Sequence, residues 1–362
     1  MSRMIIPCTK CGREKYFEGL CYYCKINERR LEISMLSHEV VQQKIQIIIN
    51  EIREGNFDQV EELLMSLISI RNINTSYIAE ACLEQNIFLQ SIVYKDASEK
   101  TRDTLIHKLL TTDNSLEASH LLCCLAMIGD DYVQQVFKEL QANPLPWRKE
   151  LYVDPSVYAH NGGWAFREDG NKEALIYEEC RTFVTGERKQ YPILVGEMNG
   201  GHCPSCGCDL LDILTIDGSD EKLKFLNLEG IVKVTICPNC IYYEEAIFCK
   251  YELNGESHLL NMESKEENML THDDVKKMTT NRLTLSHKPV SKYYGITDEI
   301  NTIGGMAEWI QDFQYLNCPK CNKIMKYFAQ IHWNTIDEYA DGTLYFEICH
   351  ECQIIAIHHQ QT

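Results

Sequence analysis

Cys203-Pro204-Ser205-Cys206 leads into the apolar run Leu210–Asp217, and Val232-Lys233-Val234-Thr235-Ile236 then delivers Cys237-Pro238-Asn239-Cys240. The same order recurs downstream: Cys318-Pro319-Lys320-Cys321, the run Ile324–His332, Leu344-Tyr345-Phe346-Glu347-Ile348, and Cys349-His350-Glu351-Cys352. A knuckle, an outgoing strand, a return strand and a second knuckle thus occur twice. The two knuckles are 30 residues apart in the first copy and 27 in the second. Two copies of one stapled β unit are the simplest reading. The spacing has a physical reason: a Cys-x-x-Cys turn sets two sulfurs on one side of a tight bend, where both reach one tetrahedral Zn²⁺ at ~2.3 Å. Pro204, Pro238 and Pro319 follow the first cysteine of their pairs and preset φ in the turn.

A shorter couple stands at the N-terminus, Cys8/Cys11 and Cys21/Cys24, with 9 residues between the pairs. Gly12 follows Cys11 as Gly207 follows Cys206. The candidate ligands of three structural Zn²⁺ sites are therefore Cys8, Cys11, Cys21 and Cys24; Cys203, Cys206, Cys237 and Cys240; and Cys318, Cys321, Cys349 and Cys352. The first residues, Met1 to Cys8, contain no apolar leader, so a cytoplasmic location is expected. Disulfides do not fit that compartment, and six paired motifs do not fit a single redox dithiol. Four thiolates fill the coordination sphere and leave no position for a reactive water. Of the remaining cysteines, Cys82, Cys123 and Cys124 lie in helical patterns and read as small core residues. Cys208 lies close enough to Cys206 to compete as a ligand, and His202 and His350 flank or sit inside knuckles; bystander or supporting roles are expected for all three.

Outward from the cysteines, the chain divides into four stretches. Residues 1–30 form the small knuckle, 31–142 read as helices, 143–260 as the first zinc-binding β unit and 261–362 as the second, so the fold class is α+β. In the helical stretch, apolar residues recur at three and four spacing, as in Val60, Leu63, Leu64, Leu67 and Ile68. Asn114-Ser115-Leu116-Glu117 resembles a capping box, and Gly129 is a helix stop followed by a new start at Asp130-Asp131. Glu117–Val133 looks like a HEAT-type repeat, which predicts stacked helix pairs. Asn143-Pro144-Leu145-Pro146-Trp147 breaks the pattern, and β-branched and aromatic runs follow. Residues 255–285, rich in Glu, Lys, Asn and Thr, read as a solvated connector or a loop with a helix.

The net charge of the 362 residues is -18. It is unevenly spread. Residues 1–30 hold 7 basic and 3 acidic side chains, whereas 31–142 hold 8 and 17. An acidic body repels nucleic-acid phosphates and attracts basic proteins, or it serves solubility alone. The N-terminal knuckle combines Arg3, Lys10, Arg13, Lys15, Lys25, Arg29 and Arg30 with Tyr16, Phe17, Tyr22 and Tyr23. That mixture suits a nucleic-acid grip; the plainer expectation is that the rings cover the metal and the charges are solvated.

Gly304-Gly305-Met306-Ala307-Glu308-Trp309, then Cys318-Pro319-Lys320-Cys321 and Met325-Lys326-Tyr327-Phe328-Ala329-Gln330-Ile331, resembles the bacterial YwqG-like family and the related C-terminal region of programmed-cell-death-2-type zinc proteins. Ala307 stands where that family usually has proline. The resemblance implies a non-enzymatic partner binder: an immunity protein against a toxin, or a chaperone-like holder of a basic protein. The sequence contains no Gly-x-Ser-x-Gly, P-loop, His-Glu-x-x-His or dinucleotide fingerprint. The expectation is a zinc-binding protein that acts through a basic protein partner, with nucleic-acid binding through the N-terminal knuckle as the alternative, no membrane partner and no catalytic residues.

Overall fold

A computed structural model describes residues 5–10, 14–260, 262, 266–297, 300–337 and 340–361. Arg3, Cys11, Gly12, Arg13 and the side chain of Tyr23 lie outside the described parts. Helices α1 (Tyr22–Ser34), α2 (His38–Arg53), α3 (Phe57–Arg71), α4 (Ser76–Glu84), α5 (Glu99–Thr111), α6 (Ser115–Ile128) and α7 (Asp131–Ala142) form the helical layer. The local signals act as read. Asn114 Oδ1 accepts from the Leu116 and Glu117 amides at 2.9 and 3.1 Å. Gly129, at φ +56°, ends α6, and Asp130 Oδ1 takes the Val133 amide at 2.9 Å to start α7. Glu117 does not close a capping box, because its carboxylate accepts from the Thr112 hydroxyl instead. Val133, Val136, Phe137 and Leu140 form the buried face of α7. Among the described residues, no helix is long and apolar enough to cross a membrane.

Two short hairpins, β1 (Ile6–Pro7) with β2 (Glu14–Lys15) and β3 (Trp164–Phe166) with β4 (Lys172–Ala174), precede the main sheets. Then come β5 (Tyr177–Thr185), β6 (Ile193–His202), β7 (Asp209–Asp217), β8 (Ile231–Ile236), β9 (Ile247–Tyr251), β10 (Ser257–Leu260), α8 (His272–Met278), β11 (Leu283–Leu285), β12 (Thr302–Gly305), β13 (Lys326–His332), β14 (Thr343–Cys349) and β15 (Ile354–Gln360). The connector read at 255–285 thus contains a helix, as expected, and two edge strands besides. An eight-stranded sheet runs β10-β9-β15-β14-β13-β12-β5-β11, and β6-β7-β8 form a second sheet. All of these pairings are antiparallel.

The large sheet is the middle layer of three. All seven residues of β14 are buried, so both of its faces are covered. Side chains alternate across a strand. Tyr345 joins the core of the helical layer. Its neighbours Leu344 and Phe346 join a core shared with Val195, Leu214 and Val234 of the smaller sheet. The duplication survives as strand order, and the two copies complete each other. β9, which follows the second knuckle of the first copy, leaves β8 and pairs with β15 of the second copy, Ala356 opposite Phe248. The large sheet consequently takes strands from both sides of residue 260.

The element that carries the family resemblance forms a strap over the sheet. Trp309 stacks on Tyr345 at 4.6 Å and on His358 at 5.9 Å between ring centres. Side chains from three strands hold the strap's backbone. The Glu308 amide donates to Gln330 Oε1 at 2.9 Å, Ile310 to the Tyr345 hydroxyl at 3.1 Å, Gln311 to Gln360 Oε1 at 3.1 Å and Leu316 to Glu347 Oε2 at 2.7 Å. Where an irregular segment lies half-buried against a sheet, its amides need such partners, because orphaned ones are costly.

Two buried polar groups give predictions. Asp212 on β7 is fully buried and accepts from Asn199 Nδ2 and Thr235 Oγ1 at 2.7 Å each and from Lys233 Nζ at 2.8 Å. Asp212→Ala strands three donors and is expected to cost about 3 kcal/mol, read as a lowered urea midpoint. Burial pushes His332 down to about 4, against about 6.5 in the unfolded chain. The unfolded state therefore binds the proton more readily. The stability this neutral ring contributes is whole above pH ~6.5 and is lost as pH falls towards 4, by about 3 kcal/mol. Burial likewise pushes His160 down to about 4. Denaturation curves at stepped pH are expected to show this acid limb, and His332→Gln is expected to flatten it.

Candidate metal centres

In the two complete groups, the knuckle of the first pair is a turn closed by two backbone bonds. In the middle site the Cys203 amide donates to the Cys208 carbonyl at 2.8 Å, and the Gly207 amide to the Cys203 carbonyl at 2.9 Å. In the third site the Cys318 amide donates to Lys323 and the Asn322 amide to Cys318, both at 2.8 Å. The residue after the second cysteine takes positive φ in both, Gly207 at +76° and Asn322 at +58°, a conformation that glycine and asparagine tolerate. The duplication therefore reaches individual hydrogen bonds. The strands deliver the remaining pairs: Cys237 follows β8 directly, and Cys349 is the last residue of β14.

In this way Cys203, Cys206, Cys237 and Cys240 meet in one group, and Cys318, Cys321, Cys349 and Cys352 in another. Sulfur separations are 3.9 Å for Cys203–Cys240, 3.5 Å for Cys206–Cys237 and for Cys206–Cys240, and 3.8 Å for Cys321–Cys349. A tetrahedron with ~2.3 Å bonds has an edge of about 3.8 Å, so the donor set and its size fit structural Zn²⁺. Cys8, Cys21 and Cys24 form the third cluster, and Cys11 lies outside the described residues. Cys21 caps α1 and Cys24 falls in its first turn, where the positive end of the helix favours thiolate.

The electrostatics ask for a dication. Burial pushes the Cys206 thiol up to about 11, and a hydrogen bond from the Cys237 thiol to Cys208 together with burial pushes Cys237 higher still. Burial opposes the Cys203 thiolate too, but the Cys206 and Ser205 amides outweigh it and hold the group below its usual range. The Lys323 amide does the same for Cys321. Coordination offsets the cost of gathering four such groups, because metal-bound thiols are deprotonated.

The neighbouring residues take supporting places. Cys208 is fully buried but stands outside the four-sulfur group. His202 is exposed and faces Asp209 at 3.0 Å. His350 accepts or donates to the Tyr177 hydroxyl through Nε2 at 2.8 Å. Asn239, between Cys237 and Cys240, grips the chain at Glu267 and Met269 through its amide. Glu347 holds Leu316, two residues ahead of Cys318. Nothing in the local sequence marks Asn239 or Glu347, since their partners are about 30 residues away. Cys82 and Cys124 are core residues as read, while Cys123 is only half-buried.

The N-terminal rings differ from the expectation. Leu20 packs against the cluster sulfurs, and Tyr16, Phe17 and Tyr22 are 62%, 47% and 54% exposed. A module this small has too little apolar surface to bury these three rings. Among its described residues, most of the cations are engaged. Lys15 and Arg30 are buried, Lys10 pairs with Glu28 and Arg29 with Glu62.

The chain is similar to the uncharacterized protein YpfL of Salmonella typhimurium strain LT2, at 27% identity over 317 residues, which covers 84% of this chain and 73% of YpfL. The β layers alone cannot supply that share, so the likeness extends into the helical layer. No family model and no solved structure matches the chain.

Proposed function

We propose that this protein is a zinc-stapled cytoplasmic scaffold that performs no catalysis and acts by binding a basic protein partner. The observation that supports this reading most is the closure of both complete cysteine groups, each a set of four buried or half-buried sulfurs at tetrahedral spacing. Such sites stabilise a fold and activate no nucleophile. The net charge of -18 supplies the attraction for a cationic partner. Both roles implied by the family resemblance, toxin immunity and chaperone-like holding, ask for this chemistry. The test is recovery of the tagged, zinc-loaded chain from its own host at moderate salt. A stoichiometric basic protein is the expected companion, and repeated recovery of the chain alone overturns the reading.

One observation favours nucleic acid as the second reading: the exposed Tyr16, Phe17 and Tyr22 could stack bases. The engaged cations weigh against it. Salt-dependent retention of single-stranded RNA that is lost in Tyr16→Ala/Phe17→Ala would support it, and no retention at low salt would dismiss it.

A further inference from the structure

A groove of about 370 Å³ opens where the α2–α3 turn meets the segment after α4. Its apolar lining is Phe57, Ile87 and Leu89. Leu89 is 72% exposed, although its neighbour Phe88 is in the core. Asp58 and Glu61 line the same groove. Residues 51–62 hold five carboxylates, Glu51, Glu54, Asp58, Glu61 and Glu62, against one cation, Arg53. That guanidinium is committed to Glu84 at 3.0 Å. Arg29 reaches the segment only as the partner of Glu62, and Lys108 is tied to Asn86 at 2.8 Å. Glu54 and Asp58 are exposed, and Glu61 accepts from Gln90, which keeps its carboxylate at the rim.

We infer that this groove is the docking site for the basic partner, and that it takes a cationic segment carrying one large apolar side chain. The inference rests on the reading proposed above and adds its location and the shape of its ligand. The charge decides between occupants. An apolar slot lined by the carboxylates of Asp58 and Glu61, with Glu54 close by in sequence, repels an acidic peptide and leaves a neutral one without steering, whereas lysine or arginine beside an apolar anchor matches both features. Asp58 also lies in the first turn of α3, where an acidic residue favours the helix. That role accounts for one carboxylate and not for the exposed leucine or for the other acids.

The test uses the zinc-loaded full chain and a short fluorescein-labelled peptide built of lysine and leucine, read by anisotropy at about 0.15 M salt. Leu89→Ser and the pair Glu54→Lys/Asp58→Lys alter exposed side chains and leave the fold intact, which circular dichroism verifies. Each is expected to weaken binding about tenfold, the effect of losing one anchor. The control pair Asp113→Lys/Glu139→Lys, on other exposed parts of the helical layer, is expected to leave affinity within about twofold. Equal weakening by both pairs overturns the groove and leaves the basic-partner reading standing. No binding by the wild-type chain also overturns the groove, and the reading itself is then judged by the companion retained from the host.

Discussion

Removal of zinc with excess strong chelator is expected to release about three ions per chain and to abolish the cooperative unfolding transition of the β layers. The count follows from the two complete four-cysteine groups and the third cluster. The size of the effect follows from a comparison of scales. Structural zinc contributes about 10–16 kcal/mol to folding in small peptides, whereas the whole stability of a domain is about 5–15 kcal/mol. Loss of a single well-placed site is thus on the order of everything that holds the fold. Placement ranks the sites. Cys349 ends β14, the strand between β13 and β15, and Cys318 follows the strap that Glu347 holds. Cys24 belongs to a small cluster whose apolar company is Leu20. Cys349→Ser is therefore expected to leave the chain insoluble or molten, Cys237→Ser nearly so, and Cys24→Ser folded with two ions instead of three. Metal analysis with near- and far-ultraviolet circular dichroism checks the order. A metal-free chain with an unchanged near-ultraviolet spectrum would show that packing alone carries the fold.

The order of elements was legible because its signals are local. Cys-x-x-Cys spacing, the Asn114 cap, the Gly129 stop and the strands beside each knuckle all depend on a few neighbouring residues. Strand β5, which the sequence reading did not place, shows where that legibility ends. In β5, Glu178, Glu179 and Arg181 spoil any alternation, yet Arg181 is buried. Its guanidinium donates to the carbonyls of Lys222 at 2.7 Å and His287 at 3.1 Å, 41 and 106 residues away. Likewise, nothing beside β9 announces that it will leave its own copy and pair with β15. Sequence repetition reports what is duplicated, and long-range edge pairing decides how the duplicates are joined. The candidate ligands were readable for the first reason. The side chains that fix them, Asn239, Tyr177 and Glu347, were hidden for the second.

Gly304→Ala is expected to be strongly damaging for a single-methyl change, and its cause separates two meanings of glycine. Gly304 and Gly305 have φ of +72° and +71°, a region that costs a non-glycine residue about 1–3 kcal/mol. Strain alone would make them ordinary, since Gly55 has φ +84° with open space where a Cβ would project. At Gly304, however, that Cβ would lie 2.3 Å from the Glu179 carbonyl oxygen and 2.6 Å from the Phe225 ring. The oxygen belongs to β5, which pairs with β12 through Gly304 opposite Cys180, so it cannot retreat without opening the sheet. Overpacking adds about 1–3 kcal/mol to the strain. The total reaches about 4 kcal/mol, against about 1 kcal/mol for Gly55→Ala. Thermal unfolding of the two zinc-loaded variants compares them directly, with Gly304→Ala expected to fall by several times the shift of Gly55→Ala. Loss of the Trp309 stack should accompany it, because Gly304-Gly305 sets the direction in which the strap leaves the sheet, and tryptophan fluorescence reads that loss. Equal shifts in the two variants would mean that backbone strain is the whole effect and that β5 gives way to a methyl group.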